Sequence, residues 1–126
     1  MSRSSSERSS RQAAERRGRR GEFLASLILL AKGYRILGRR VRTRLGEIDL
    51  VARSPRGVIC FIEVKARDDF VDAVVALLPR QQARIARAAE HFLAQRPGLR
   101  ATEVRFDTIT ITRRGFPRHL RDAWRP

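Results

Sequence analysis

The chain has one cysteine, one methionine, one tyrosine and one tryptophan in 126 residues, and only two of its 28 cationic side chains are lysine. A single cysteine, Cys60, excludes an internal disulfide framework and fits a reducing compartment. Acidic residues are scarce as well: 13 Asp and Glu against 28 Lys and Arg leave a net charge of +15. That excess selects polyanionic partners, nucleic acid first and an anionic membrane second. Aromatics make up only 6% of the chain, but 42% hydrophobic residues are enough for a modest core. Long apolar runs are missing. Phe23–Ala31 has nine residues, far below the roughly 20 that span a bilayer. Arg19 and Arg20 precede this run in the manner of a twin-arginine signal, but no small-x-small cleavage site follows. Lys32 and Gly33 stand instead where a helix is capped. The expectation is a cytoplasmic protein without membrane association. There is no glycine-rich phosphate loop, which excludes the common nucleoside-triphosphatase motif, and His91 and His119 have no Cys or His partner at zinc spacing.

What is present divides at about residue 20. Residues 1–20 hold six serines and seven arginines against Glu7 and Glu15, with too little apolar surface to offset ordering entropy, and are expected to be a disordered basic tail. Ten of the fifteen excess charges therefore belong to residues 21–126, expected to be one α/β domain. A first core helix is predicted from Gly21 to Lys32. Tyr34–Leu37 and Val41–Thr43 read as one strand broken near Gly38 or as two short pieces. Gly46–Ala52 alternates in strand fashion, Ser54–Gly57 is a turn, and Val58–Ala66 is apolar on both faces as a central strand should be. A second helix runs from about Arg80 to Gln95, with Ile85, Ala89, Phe92 and Leu93 on one side. Glu103–Thr112 is a further strand and Arg113–Gly115 opens a loop. Strands and helices in this order predict a mixed sheet flanked by helices.

Against the shortage of acids, Asp49, Glu63 and Asp107 lie inside or beside apolar strands, where an unpaired carboxylate is costly. Glu63 and Lys65 share a face because strand side chains alternate. If Ser54 pairs with Val58, Asp49 stands directly across from Glu63, with Cβ atoms ~5 Å apart. Two carboxylates at that distance repel unless a cation lies between them, and hard oxygen donors suit Mg²⁺ or Mn²⁺. Lys65 could then orient a water or balance charge on a phosphate. The alternative is an Asp–Glu–Lys salt-bridge patch on an exposed sheet face.

An aspartate closing one strand followed by Glu-x-Lys in the next resembles the PD-(D/E)xK nuclease motif, found in restriction endonucleases and archaeal Holliday-junction resolvases. Gly21-Glu22-x-x-Ala25, Gly46-Glu47-Ile48-Asp49-Leu50, Ile62-Glu63-Val64-Lys65-x-Arg67, Arg105-Phe106-Asp107 and His119-Leu120-x-Asp122-Ala123-Trp124 together resemble the YraN-type family of small bacterial proteins, over about residues 21–124. The resemblance implies a restriction-endonuclease-like core and metal-dependent cleavage of DNA, with branched or recombination intermediates among the substrates. It implies Asp49, Glu63 and Lys65 as catalytic residues, with Glu22 joining Asp49 and Glu63 on the metal. Two positions depart from the pattern: Gln81 stands where lysine is common, and Arg40 where asparagine is expected.

The remaining cations extend the same reading. Arg80, Arg84 and Arg87 fall within about 60° of arc on the second helix, either a solvated face or a line of phosphate contacts. Arg67, beside the proposed metal, and Gln81 are further phosphate candidates. The expected partner is nucleic acid, DNA ahead of RNA. A four-way-junction substrate would require a homodimer, which the residues neither mark nor oppose. Arg105 and Asp107, two apart on one strand face, are expected to pair with each other or across the sheet. The competing functional classes are a non-catalytic nucleic-acid-binding module on a nuclease-like scaffold and a protein-interaction subunit that docks through its tail.

Overall fold

The computed structural model describes residues 20–67, 78–99, 103–112 and 117–126. Helix α1 covers residues 20–31, followed by strands β1 (Arg35–Arg42), β2 (Glu47–Arg53) and β3 (Ile59–Arg67). Helix α2 (Pro79–Ala94), a 3₁₀ turn (Pro97–Leu99) and strands β4 (Val104–Thr112) and β5 (Arg118–Trp124) complete the domain. The strands form one sheet in the order β1-β2-β3-β4-β5. Only β3 and β4, joined by the crossover that contains α2, run parallel. This α/β arrangement is the expected mixed sheet and is consistent with a nuclease-like core. The expected tail and the expected loop at Arg113–Gly115 lie outside the described residues, except that Arg20 already belongs to α1. No helix among the described residues is long and apolar enough to cross a membrane.

Each face of the sheet carries its own core. On one face Val51, Ile59, Phe61 and Phe106 pack against Ile85, Ala88, Ala89 and Phe92 of α2. Phe61 meets Phe92 edge-on at 5.9 Å, and Phe106 stacks on Trp124 at 4.3 Å. On the other face Leu50, Ala52, Cys60, Ile62 and Ile109 pack against Ala25 and Leu29 of α1 and Tyr34 beyond it. Strand β3 is thus covered on both sides, which explains its continuous apolar run. Cys60 is fully buried, and burial pushes its thiol up to about 12, the behaviour of an inert core residue.

Helix α1 stops where the sequence predicts. Gly33 adopts φ +85°, the Tyr34 N–H donates to Leu29 O, and the Gly33 N–H donates to Leu30 O, which together make a Schellman cap. The helix is not buried on all sides, however. Ala25, Ser26 and Leu29 face the sheet, whereas Phe23, Leu24, Leu27 and Leu30 are exposed, because a helix lying on a sheet covers only one stripe of its surface. The segments around Gly38 form one strand interrupted by a register shift between Ile36 and Gly38, the first of the two expected forms. Strand β5 is an element the hydrophobic pattern does not reveal.

Candidate active site

The turn at Ser54–Gly57 sets the geometry. The Ser54 N–H donates to Val58 O at 2.8 Å, and the ladder above it pairs Arg53 with Ile59, Ala52 with Cys60, Val51 with Phe61 and Leu50 with Ile62. Continued by one step, this register sets Asp49 across from Glu63, close enough for each carboxyl to shift the other's pKa. The Val64 N–H donates to Asp49 Oδ2 at 2.8 Å, taking up the backbone group that the end of the ladder leaves free. Glu63 lies on the α2 face by alternation with Phe61, whereas Ile48 and Val51 both enter the α2-side core, so strict alternation breaks at Asp49 and Leu50 between them.

Burial pushes Glu63 up to about 9, and the neighbouring Asp49 charge pushes the same way, with Lys65 opposing. Burial also raises Asp49, to about 6, against the pull of the Val64 N–H and with the Glu22 charge adding to the rise. Glu63 Oε2 is buried with no hydrogen-bond partner among the described residues. A buried carboxyl oxygen without a donor is an acceptor awaiting a ligand. Lys65, half-buried on the Glu63 face, lies close enough for its charge to favour ionised Glu63.

Glu22 does not complete a ring of acids. Arg40 sits between the pairs Arg39–Leu50 and Val41–Ile48, therefore opposite Asp49, and adopts φ +48°. Its Nε donates to Glu22 Oε2 at 2.6 Å, and that bond raises the guanidinium pKa. The arginine at the position expected for asparagine is thus an internal counter-ion to the acidic residue of α1. Glu22 still reaches Asp49 through its field, but among the described residues no three His, Cys, Asp or Glu side chains are grouped tightly enough to hold a metal by themselves.

Helix α2 approaches this end of the sheet through Gly46. A Cβ at that position would lie 3.2 Å from Arg84 O and 3.4 Å from Arg84 Cβ, so glycine permits the close approach. Arg80, Arg84 and Arg87 are exposed on the side of α2 away from its buried residues, as their spacing requires. Gln81 is used locally: its Oε1 accepts from the Leu78 N–H at 3.2 Å at the start of α2, with Pro79 beginning the helix. Arg67 ends β3 opposite Thr112.

Asp107 stands apart from the pair. It lies on the α1 face, fully buried, and gathers donors from β4 and β5. Arg105 holds it with two hydrogen bonds of 2.8 Å and donates also to the Tyr34 hydroxyl at 2.8 Å. His119 Nε2 lies 2.8 Å from Asp107 Oδ2, and the Asp122 N–H reaches Oδ1 at 3.0 Å. Burial works against the Asp107 charge, but these hydrogen bonds outweigh it and hold the carboxyl down at about 2. The expected Arg105–Asp107 pair is present. The sequence marks His119 only within the His119-Leu120-x-Asp122-Ala123-Trp124 motif, because its partners are distant: Lys32, one of only two lysines, lies 3.1 Å from its Nδ1, 87 residues away in the chain.

A family model described as "Uncharacterised protein family UPF0102" matches residues 21–111. A UPF0102 protein of Parvibaculum lavamentivorans is 52% identical over 114 residues, covering 90% of this chain and 85% of the relative. A UPF0102 protein of Caulobacter vibrioides is 51% identical over 112 residues, covering 89% of each. Another, from Rhodopseudomonas palustris, is 52% identical over 110 residues, covering 87% of this chain and 84% of the relative. Identity at this level over most of both chains, together with the family match across the strands that carry Asp49, Glu63 and Asp107, establishes that the chain belongs to the uncharacterised UPF0102 family.

Proposed function

We propose that the protein is a nuclease that hydrolyses DNA phosphodiesters with Mg²⁺ or Mn²⁺, branched or recombination intermediates being the substrate class. The observation that carries this reading is the Asp49–Glu63 pair: two neighbouring carboxyls at a half-buried strand end, one holding a buried oxygen without a donor among the described residues. Such an oxygen-only donor set fits a hard divalent cation, with Glu22 nearby to add charge. A bound cation there supplies Lewis-acid polarisation of the phosphate and activation of water. Asp49 and Glu63 bind; the Val64 N–H orients Asp49; Lys65 balances charge developing on the phosphate or relays a proton. Arg67, Arg80, Arg84 and Arg87 hold the DNA backbone without reading its sequence, and Gln81 lies at the same helix start.

A second reading is a binding module without turnover on this scaffold. It is favoured by the Arg40–Glu22 ion pair, which satisfies one acid with an internal cation. Cleavage of linear, flapped and four-way DNA by the full chain with Mg²⁺ or Mn²⁺, beside Asp49→Asn, separates the two. A nuclease loses cleavage in the variant and keeps DNA binding. A binder shows no metal-dependent cleavage in either.

A further inference from the structure

The polar cluster around Asp107 supports a second site. At the turn end of the β2–β3 hairpin a cleft of 440 Å³ opens beside it, walled by Lys32, Tyr34, Arg56, Arg105 and Arg121, with no acidic side chain among the described residues that line it. Ser54, which also lines it, is five positions from Asp49, about 17 Å along a strand. The cleft also belongs to the sheet face opposite Glu63, since Tyr34 packs with Cys60 and Ile109 in the α1-side core. It is therefore separate from the Asp49–Glu63 pair.

The lining is built rather than merely basic. The Schellman cap of α1 places Lys32 and Tyr34 on either side of Gly33. Lysine can only donate, so its 3.1 Å contact makes His119 Nδ1 the acceptor, and the His119 Nε2–H then donates to Asp107. Arg105 is fixed by two bonds to the same carboxylate. One buried anion thus orients two cations from the rear, one directly and one through a histidine whose side chain is 1% exposed. Tyr34 accepts from Arg105 and keeps its own hydroxyl proton to donate. Asp107 balances Arg105, which leaves Lys32, Arg56 and Arg121 as excess charge facing the cleft. Cations and an O–H donor preset around one small volume match the oxygens of a phosphate group.

We infer that this cleft binds a phosphate group, with Lys32, Arg56 and Arg121 neutralising its oxygens and the Tyr34 hydroxyl donating to one of them. The phosphate is either the terminal monoester of a nucleotide or a diester of a nucleic-acid backbone. The site does not depend on cleavage at Asp49 and Glu63, so the Asp49→Asn/Glu63→Gln variant keeps it.

The test is calorimetric titration of the full chain with inorganic phosphate at low ionic strength. Arg56→Gln/Arg121→Gln is the site variant, and Arg39→Gln/Arg44→Gln the control of equal charge; all four arginines are exposed. Saturable binding that weakens about tenfold or more in the site variant and little in the control is expected. A 5′-phosphorylated oligonucleotide and its unphosphorylated twin then distinguish the source. Preference for the former, abolished in the site variant, assigns the terminal monoester, and equal binding that weakens in the site variant assigns the diester. No saturable phosphate binding by the wild type, or equal weakening by both variants, overturns the site.

Discussion

Replacing Glu63 with glutamine removes one ionisable proton from the most perturbed carboxyl pair in the domain. In the folded chain Glu63 is pushed from 4.5 up to about 9 and Asp49 from 3.8 up to about 6. Both pKa values are raised above their unfolded values, so the folded state binds more protons than the unfolded state across this interval. The stabilisation is complete below about pH 4 and is lost as pH rises toward the folded values. One extra bound proton costs about 1.4 kcal/mol per pH unit, so Glu63 alone should cost the wild type about 3 kcal/mol between pH 4.5 and 7. Asp49 is raised mainly by its own burial and the Glu22 charge, and is not added here. Glu63→Gln should abolish most of this loss, because glutamine keeps the shape without the charge, while Asp49 stays raised by burial. Chemical denaturation followed by circular dichroism at pH 4.5, 5.5, 7 and 8, without divalent cations, measures the difference directly. The wild type and variant should diverge as pH rises, with the variant the more stable at pH 7. Parallel stability profiles across that range would refute the assignment of a buried, mutually repelling pair.

Three other outcomes follow from separate parts of the molecule. Asp107→Asn leaves Arg105 without its buried counter-charge and should destabilise the domain by about 3–5 kcal/mol, seen as a lower denaturation midpoint at pH 7. Gly46→Ala sets a Cβ 3.2 Å from Arg84 O and should cost about 1–3 kcal/mol by forcing α2 away from β2, read by the same unfolding experiment. Arg80→Gln/Arg84→Gln/Arg87→Gln should weaken DNA binding without changing the fold. If all three arginines contact phosphates, the slope of log affinity against log salt should become shallower by about 2.7.

The fold and half of the candidate site were legible because local signals determined them. A four-residue turn with Pro55 and Gly57 fixed the β2–β3 register, and register alone sets Asp49 across from Glu63. The apolar run of β3 marked the central strand, and the helical spacing of Ile85, Ala89 and Phe92 marked the buried side of α2. What escaped the sequence was set by distant pairing. Strand β5 carries Arg118, Arg121 and Asp122 and is largely exposed, so it lacks the alternation that identifies a strand, and edge strands carry such charges to discourage further pairing. His119 acquires meaning only once β5 pairs with β4 and α1 ends beside them. Arg40 stands in place of the expected asparagine for a reason that lies in another element: its partner Glu22 is reached through a left-handed backbone that no hydrophobic pattern encodes. Gln81 stands in the sequence as a phosphate candidate, and the fold adds a local bond, its Oε1 accepting from the Leu78 N–H at the start of α2.

The most direct measurement is calorimetric titration of the full chain with Mn²⁺ at pH 7.5, in two buffers of different ionisation enthalpy, beside Asp49→Asn/Glu63→Gln. Glu63 is protonated there in the metal-free protein, so cation binding between the carboxyls should release about one proton per ion. The double variant should show neither the binding nor the proton. Binding of equal strength in both proteins, or binding without proton release, would contradict a metal held by Asp49 and Glu63.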